Sequence, residues 1–457
     1  MKKEQMAVIG GLSIIIGSTA LYYLINSRQN KRKLKKMSNE EVLSYLERRI
    51  QKAEGSNNVG SIRSFLPAGQ LYKASLSLLR ASRIVIVTGF PSHIDYSPPT
   101  STNGPLGTTC LAKALLAIGK NVIIATDESN ENVILQCIQS SGITSSNLKL
   151  ESFPARSNFS HNDHERLSSL AYSTDLVVFI NRPGPSPDGT YRTDKGININ
   201  HLVAPFEMML PMSSVNSNSY TSQTTSEKNS LNNTPTNSGK YFASTSGKSE
   251  PEKEKMQSLS VKSNLTTTSV KLCSPSMKMI PSISVGEYGN ELGMGKIYDQ
   301  IVHLSSIPMA KQIVCVVPTD QLIVSTVSDW GGFALATSVA VMASADSTGL
   351  TSNQTSRLSS TQGTDGLSNI STTGNTVNLP VNDIGEKVIF ESREEALSSC
   401  ILSNSILESM LSTITREGAR DKESGEKIMK VNGLGVSVMC EVMNDLRAIA
   451  LKLRTCE

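Results

Sequence analysis

The four residues Ile84-Val85-Ile86-Val87 constrain this chain more than any others. A run of β-branched side chains with no polar alternation suits a strand covered on both faces, and such strands belong to parallel sheets flanked by helices. The run stops at Thr88-Gly89-Phe90-Pro91, where Gly and Pro end regular structure. A Pro/Gly-rich loop to Gly107 leads to an expected helix over Thr108 to Ile118, closed by Gly119, and then to a second buried strand over Val122 to Ala125 that ends at Thr126-Asp127. Another helix-like segment, a short strand near Leu148 and a strand over Leu176 to Ile180 continue the alternation. Strand, helix, strand, helix predicts an α/β fold with a mostly parallel, Rossmann-like sheet and helices on both faces.

Upstream, Ser38 and Glu41 form a capping-box pattern that starts a helix through Leu43, Leu46 and Ile50, and a second apolar-periodic stretch covers Leu71 to Leu79. Residues 7–25 (AVIGGLSIIIGSTALYYLI) carry no charge and are long enough to span a bilayer as a helix, which makes them an expected membrane anchor with disordered insertions further along the chain. A cleaved signal peptide is the rival reading, since Ser18-Thr19-Ala20 offers small residues near a cut site. Arg28, Lys31, Arg32, Lys33, Lys35 and Lys36 follow the apolar run, while only Lys2 and Lys3 precede it and Glu4 offsets them. That bias orients a single-pass protein with its folded part facing the cytosol.

Residues 212–282 and 345–382 are rich in Ser, Thr and Asn, with too few apolar side chains to bury a core, so both are expected to be disordered insertions with unknown protein partners. Loop-closure entropy grows only logarithmically with length, so one domain tolerates such insertions. The organisation expected is residues 1–37 as anchor and basic flank, and one α/β domain assembled from 38–211, 283–344 and 383–457. A net charge of +4, with much of the basic excess in the N-terminal cluster, argues against nucleic acid. Seven scattered cysteines without a CxxC pair fit free thiols rather than a disulfide or metal framework. His161 and His164, beside Asn162 and Asp163, read as solvated loop residues.

In open parallel sheets ligands bind beyond the carboxyl ends of the strands, and the unusual loops lie there. Thr102, Asn103 and Gly104 precede a helix N-terminus suited to an anion; Asp127 and Asn181-Arg182 each follow a strand; Ser328-Asp329-Trp330-Gly331-Gly332 follows the apolar run Leu322 to Val327. Gly286, Gly289, Gly293 and Gly295 surround Asn290 and Glu291, either as a turn feeding a helix or as a loop closing on a ligand. No G-x-G-x-x-G follows the first strand, which weighs against a nucleotide-dependent oxidoreductase.

The ordered set TGFP, TNGPLG, GKNVIIATD, NRPGPSPDGTY, GEYGNELGMGK, SDWGGFAL and DKESGEKIMKVNGL (421–434) resembles the C-terminal domain of the D-glutamate cyclase family. The resemblance spans nearly all of the chain outside the apolar segment and the two insertions. It implies a lyase that converts D-glutamate to 5-oxo-D-proline and water, in a protein that in animals is mitochondrial and carries a further hydro-lyase-like domain upstream. A small acidic amino acid is the implied ligand. A non-catalytic, membrane-anchored relative that binds such a ligand or a protein partner is the alternative.

Ring closure needs a base for the ammonium proton, stabilisation of the tetrahedral intermediate and an acid to expel water. Glu291 or Asp127 is the expected base, Asn290 and the loop amides the oxyanion donors, and Arg182 the clamp on the α-carboxylate, with Thr102, Asn103, Gly104, Gly289, Gly293, Asp329 and Trp330 lining the ligand. Each has a structural counterpart: Asp127 as a helix cap, Arg182 paired with a carboxylate, Trp330 in the core. Relative to the family pattern, Asn103 replaces Asp, Asn181 replaces Glu, Glu287-Tyr288 replace Asp-Gly and Asp329 replaces Asn. Two carboxylates are thereby lost at 103 and 181, which bears on proton transfer and on a divalent metal ion, the one cofactor under consideration.

Overall fold

The computed structural model describes residues 34–52, 59–210, 279–344, 389–451 and 453–455. A short strand β1 (Leu34–Lys36) pairs antiparallel with Leu453–Thr455. Helix α1 (Asn39–Ile50) starts at the expected capping box: the Glu41 N–H donates to Ser38 Oγ and the Ser38 N–H donates to the Glu41 carboxylate. Helix α2 (Gln70–Arg80) follows, and then the alternation begins.

Strands β2 (Arg83–Thr88), β3 (Asn121–Asp127), β4 (Leu148–Phe153), β5 (Leu176–Ile180), β6 (Ser282–Gly286) and β7 (Gln321–Val324) form one parallel sheet in the order β4-β3-β2-β5-β6-β7. Helices α3 (Pro105–Ala117), α4 (Glu131–Ser140) and α5 (His161–Ser173) connect the first four strands. The order reverses between β2 and β5, the switch point where such sheets open a crevice.

Alternation along each strand divides the interior. Ile84, Ile86, Val122, Ile124, Val178 and Val285 face one core, which α1 to α4 join together with α6 (Ser328–Met342), α7 (Arg393–Cys400), α8 (Asn404–Arg416) and α9 (Val436–Leu451). Val85, Val87, Ala125, Val177 and Phe179 face the other, closed by Leu167 and Leu170 of α5 and by Phe206. Each leucine so buried contributes about 2 kcal/mol through apolar area removed from water. Helix α6 is buried along its whole length, which explains why SDWGGFALATSVAVM shows no polar stripe. Its first turn lies in backbone contact with that of α3: a β-carbon on Gly332 would stand 2.5 Å from Gly107 Cα. The glycine pair therefore brings two helix N-termini to one point above the sheet.

Several expectations change. Strand β6 begins at Ser282, and Ile280 is buried, so the folded part resumes earlier than residue 283. His161 and His164 lie on α5 rather than in a loop, because Ser160 caps that helix through Asp163. Within the apolar run Leu322 to Val327 the strand ends at Val324, and the Ser325 N–H makes the last ladder bond, to the Gly286 carbonyl. Residues 7–25, 212–278, 345–382 and 383–388 lie outside the described residues. Among the described residues no helix is long and apolar enough to cross a membrane.

Candidate functional site

The carboxyl ends of β5, β6 and β7 and the loop before α3 deliver Asn181, Glu287, Ser328-Asp329 and Asn103 to one buried polar cluster. Glu287 is its hub. Asn103 Nδ2 and Asn432 Nδ2 both donate to Glu287 Oε1 at 3.0 Å, and the Ser328 N–H donates to Oε2 at 3.1 Å. Asn432 reaches it from a turn between Lys430–Val431 and Leu434–Gly435, held at φ 51°. Lys422 Nζ lies 3.9 Å from Glu287 Oε1, 3.5 Å from Asp194 Oδ2 and 3.7 Å from the centre of the Tyr288 ring.

Asp329 adjoins this hub. Its Oδ1 accepts the Gly107 N–H at 2.6 Å and the Gly104 N–H at 3.0 Å, so the carboxylate sits on the free amides of α3. The Asp329 N–H donates to Asn103 Oδ1, and Asn181 Nδ2 donates to the Asn103 carbonyl. Asn103 thereby joins Glu287 on one side of its amide to the Asp329 backbone on the other. Glu287 is 1% exposed and Asp329 0%. Burial pushes the Glu287 carboxyl up to about 7 against the lowering pull of Lys422, with the Glu291 charge adding to the rise. Burial also pushes Asp329 up to about 7 against the Gly107 and Gly104 amides, with Glu287 adding to the rise. Desolvation pulls the Lys422 ammonium down, but Glu287 and Asp194 outweigh it and hold it above its usual value.

Other expected site residues lie in different arrangements. Arg182 and Asp127 bind each other: Nη1 donates to Oδ2 at 2.5 Å and Nη2 to Oδ1 at 2.7 Å. Asp127 also accepts from Asn130 Nδ2 and the Ala204 N–H, and Arg182 also donates to the Gly89 and Ala204 carbonyls. A base and a substrate clamp need free lone pairs and free donors, and this pair has given its own to the loops that close β2, β3 and β5. Trp330 is wholly buried in the large core, where its Nε1–H points at Met439 Sδ. It does not line the polar cluster. Thr102 ties two loops together, its N–H donating to the Arg420 carbonyl and its Oγ1 to that of Lys430.

In the glycine-rich loop, the Glu291 carboxylate accepts the N–H groups of Tyr288 and Gly289, and the Gly289 carbonyl accepts from Cys315 N–H. Asn290 Nδ2 donates to the Arg192 carbonyl. Gly293 has φ 105°, and a β-carbon there would stand 1.8 Å from Ser284 Oγ. Gly293→Ala should therefore destabilise by roughly 2–4 kcal/mol, through backbone strain and overpacking together, in a denaturant titration. Near-normal stability with lost ligand affinity would instead assign this glycine to ligand approach.

The family model described as "D-glutamate cyclase-like, C-terminal" matches residues 46–224 and 253–447. The chain belongs to this family. It is also 25% identical, over 336 residues, to the human protein named "D-glutamate cyclase, mitochondrial". The matched region covers 72% of this chain and 42% of that relative, so the chain spans about two fifths of the relative's length. The six-stranded parallel sheet is the α/β architecture that the alternation of strands and helices predicted.

Within this D-glutamate cyclase-like domain, Glu287, Lys422, Asn432 and Asp194 carry no role in the sequence reading. The first three lie inside the motifs GEYGNELGMGK and DKESGEKIMKVNGL. What was absent was their partners: Glu287 meets residues 184 and 145 positions away. Among the described residues no three His, Cys, Asp or Glu side chains converge to hold a metal ion. With amides at 103 and 181, the cluster does not offer the donor set that a divalent cation favours.

Proposed function

We propose that this chain is a lyase of the D-glutamate cyclase type, converting D-glutamate to 5-oxo-D-proline and water. The observation that carries the reading is the pair of buried carboxyls, Glu287 and Asp329, both raised to about 7 and joined by Asn103 above the sheet of a family member. A group that titrates near neutral pH exchanges protons most effectively with a reacting substrate.

Asp329 is the base that takes a proton from the substrate ammonium, freeing the nitrogen to attack the side-chain carboxyl carbon. Glu287, in its protonated form, is the acid. As the C–N bond forms and the C–O bond breaks, the two protons given up by nitrogen leave with the departing oxygen as water. Lys422 stabilises negative charge on the tetrahedral intermediate and attracts a ligand carboxylate. Burial strengthens each of these electrostatic effects.

Incubating the purified full-length chain with D-glutamate and with L-glutamate, with and without a divalent metal ion, tests the reading by the appearance of 5-oxoproline. Formation from D-glutamate is the expected result; none under any condition would overturn it. A non-catalytic binding relative is the second reading. It is favoured by the engagement of Asp127 with Arg182 and of Glu291 with its own loop.

The name of the human relative supports a mitochondrial location for this chain. The apolar run 7–25 and its basic flank support a single-pass anchor with the domain on the cytosolic side. Protease added to intact organelles should then digest the domain. Protection until detergent is added would place it in an enclosed compartment.

A further inference from the structure

The polar cluster contains three oxygens without a hydrogen-bond partner although each is shut from solvent: Asp329 Oδ2, Ser328 Oγ and Asn432 Oδ1. A buried acceptor left unpaired loses its hydration without compensation, so several together indicate a group that completes them. Two of the three residues bind one carboxylate, since the Ser328 N–H and Asn432 Nδ2 donate to the two oxygens of Glu287, and Asp329 follows Ser328 in the chain. The same bond sets the Asn432 amide, since Nδ2 faces Glu287 and Oδ1 is therefore turned away from it. Asp329 Oδ1 is saturated by Gly104 and Gly107, which leaves Oδ2 as that carboxylate's available face.

Charge narrows what fits. Glu287 has Lys422 as its counter-ion, whereas Asp329 has no cationic partner among the described residues. Ionised Asp329 and the Asn432 oxygen can only accept, and a serine hydroxyl accepts as readily as it donates. The complement is a compact cation with several N–H donors.

We propose that Asp329 Oδ2, Asn432 Oδ1 and Ser328 Oγ form the seat of a primary ammonium group, so that the site selects its ligand by a free α-amine as well as by carboxylates. The inference rests on the cyclase reading above and adds to it the groups that discriminate. Asn432 is then a specificity-determining residue, and its left-handed backbone places the oxygen.

The test compares D-glutamate with glutarate, which has the same two carboxylates and no amine, by titration calorimetry on the full-length protein. Binding appears as heat on injection and turnover as sustained heat. The unmutated protein should bind D-glutamate roughly 10- to 100-fold more tightly than glutarate, the range expected of charge-assisted hydrogen bonds. Asp329→Asn keeps Oδ1 for the two glycine amides and replaces Oδ2 by an N–H donor that opposes an ammonium. Its preference should fall to about one, by the loss of those bonds, with glutarate binding little changed. Asn432→Gly, which suits the φ of 51°, removes the other acceptor and should lower the preference in part. If Asp329→Asn fails to fold, Asn432→Gly decides. Equal binding of the two ligands by the unmutated protein, or full preference retained in the variants, would overturn the seat. A preference for D-glutamate without sustained heat or 5-oxoproline would uphold the seat and refute the cyclase reading.

Discussion

Glu287→Gln is expected to lower turnover of D-glutamate by roughly two to four orders of magnitude, the usual effect of losing a general acid or base. Gln preserves the volume and keeps one oxygen for the Asn103 and Asn432 amides, but its NH2 faces the Ser328 N–H, so about one hydrogen bond is lost, near 1 kcal/mol. Removing an acid that burial holds near neutral offsets part of that loss. The melting temperature should therefore move by only a few degrees while activity collapses. Unchanged turnover in Glu287→Gln would remove this carboxyl from the chemistry.

The same residue has a signature in stability. Its carboxyl titrates near 4.5 when unfolded and near 7 when folded, so the folded state binds the proton more tightly between those values. The stability it contributes is full below pH 4.5 and is lost as pH rises through 7. Asp329, raised from 3.8 to about 7, acts in the same direction. Melting temperature should fall between pH 5 and pH 8 in the unmutated protein and fall less in Glu287→Gln. A flat profile would show that neither carboxyl holds its proton on folding.

Asp127→Asn should act in the opposite way, destabilising the fold by about 3–5 kcal/mol because Arg182 would remain buried without its counter-ion. Both side chains are 1% exposed, so water cannot compensate. Arg182→Met in the Asp127→Asn background should recover part of the loss, since the second change removes the stranded charge. Denaturant unfolding of both single variants and the double variant measures this coupling. If Asp127 were the base, Asp127→Asn would abolish activity with its stability intact, and the cycle would show no coupling.

The sheet strands and several helix starts were legible locally. Ile84 to Val87, Val122 to Ala125 and Leu176 to Ile180 announced themselves by unbroken apolar runs, and Ser38 with Glu41 by spacing alone. A strand buried on both faces and a capped helix are properties of about ten consecutive residues, so neighbours in sequence suffice. Strand β6 escaped because Ser282-Ile283-Ser284-Val285 alternates polar and apolar, whereas Ser284 is buried through a bond with Thr319.

Site chemistry was set at longer range. The sequence placed Asp127, Arg182, Asn103 and Asp329 at or beyond the carboxyl ends of strands, which is where they lie. It could not pair them. Reversal of strand order between β2 and β5 brings Arg182 onto Asp127 from 55 residues away, and the crossing of α3 and α6 at Gly107 and Gly332 brings Asp329 under the amides of Gly104 and Gly107. Whether a buried carboxylate is a strut or a proton carrier depends on its nearest partner. Asp127 met a guanidinium, Glu291 met its own loop amides, and Glu287 and Asp329 met each other's neighbourhood with too little countercharge to stay fully ionised at neutral pH. Residue identity and loop position were local information; the partner, and with it the proton affinity, was decided by the tertiary fold.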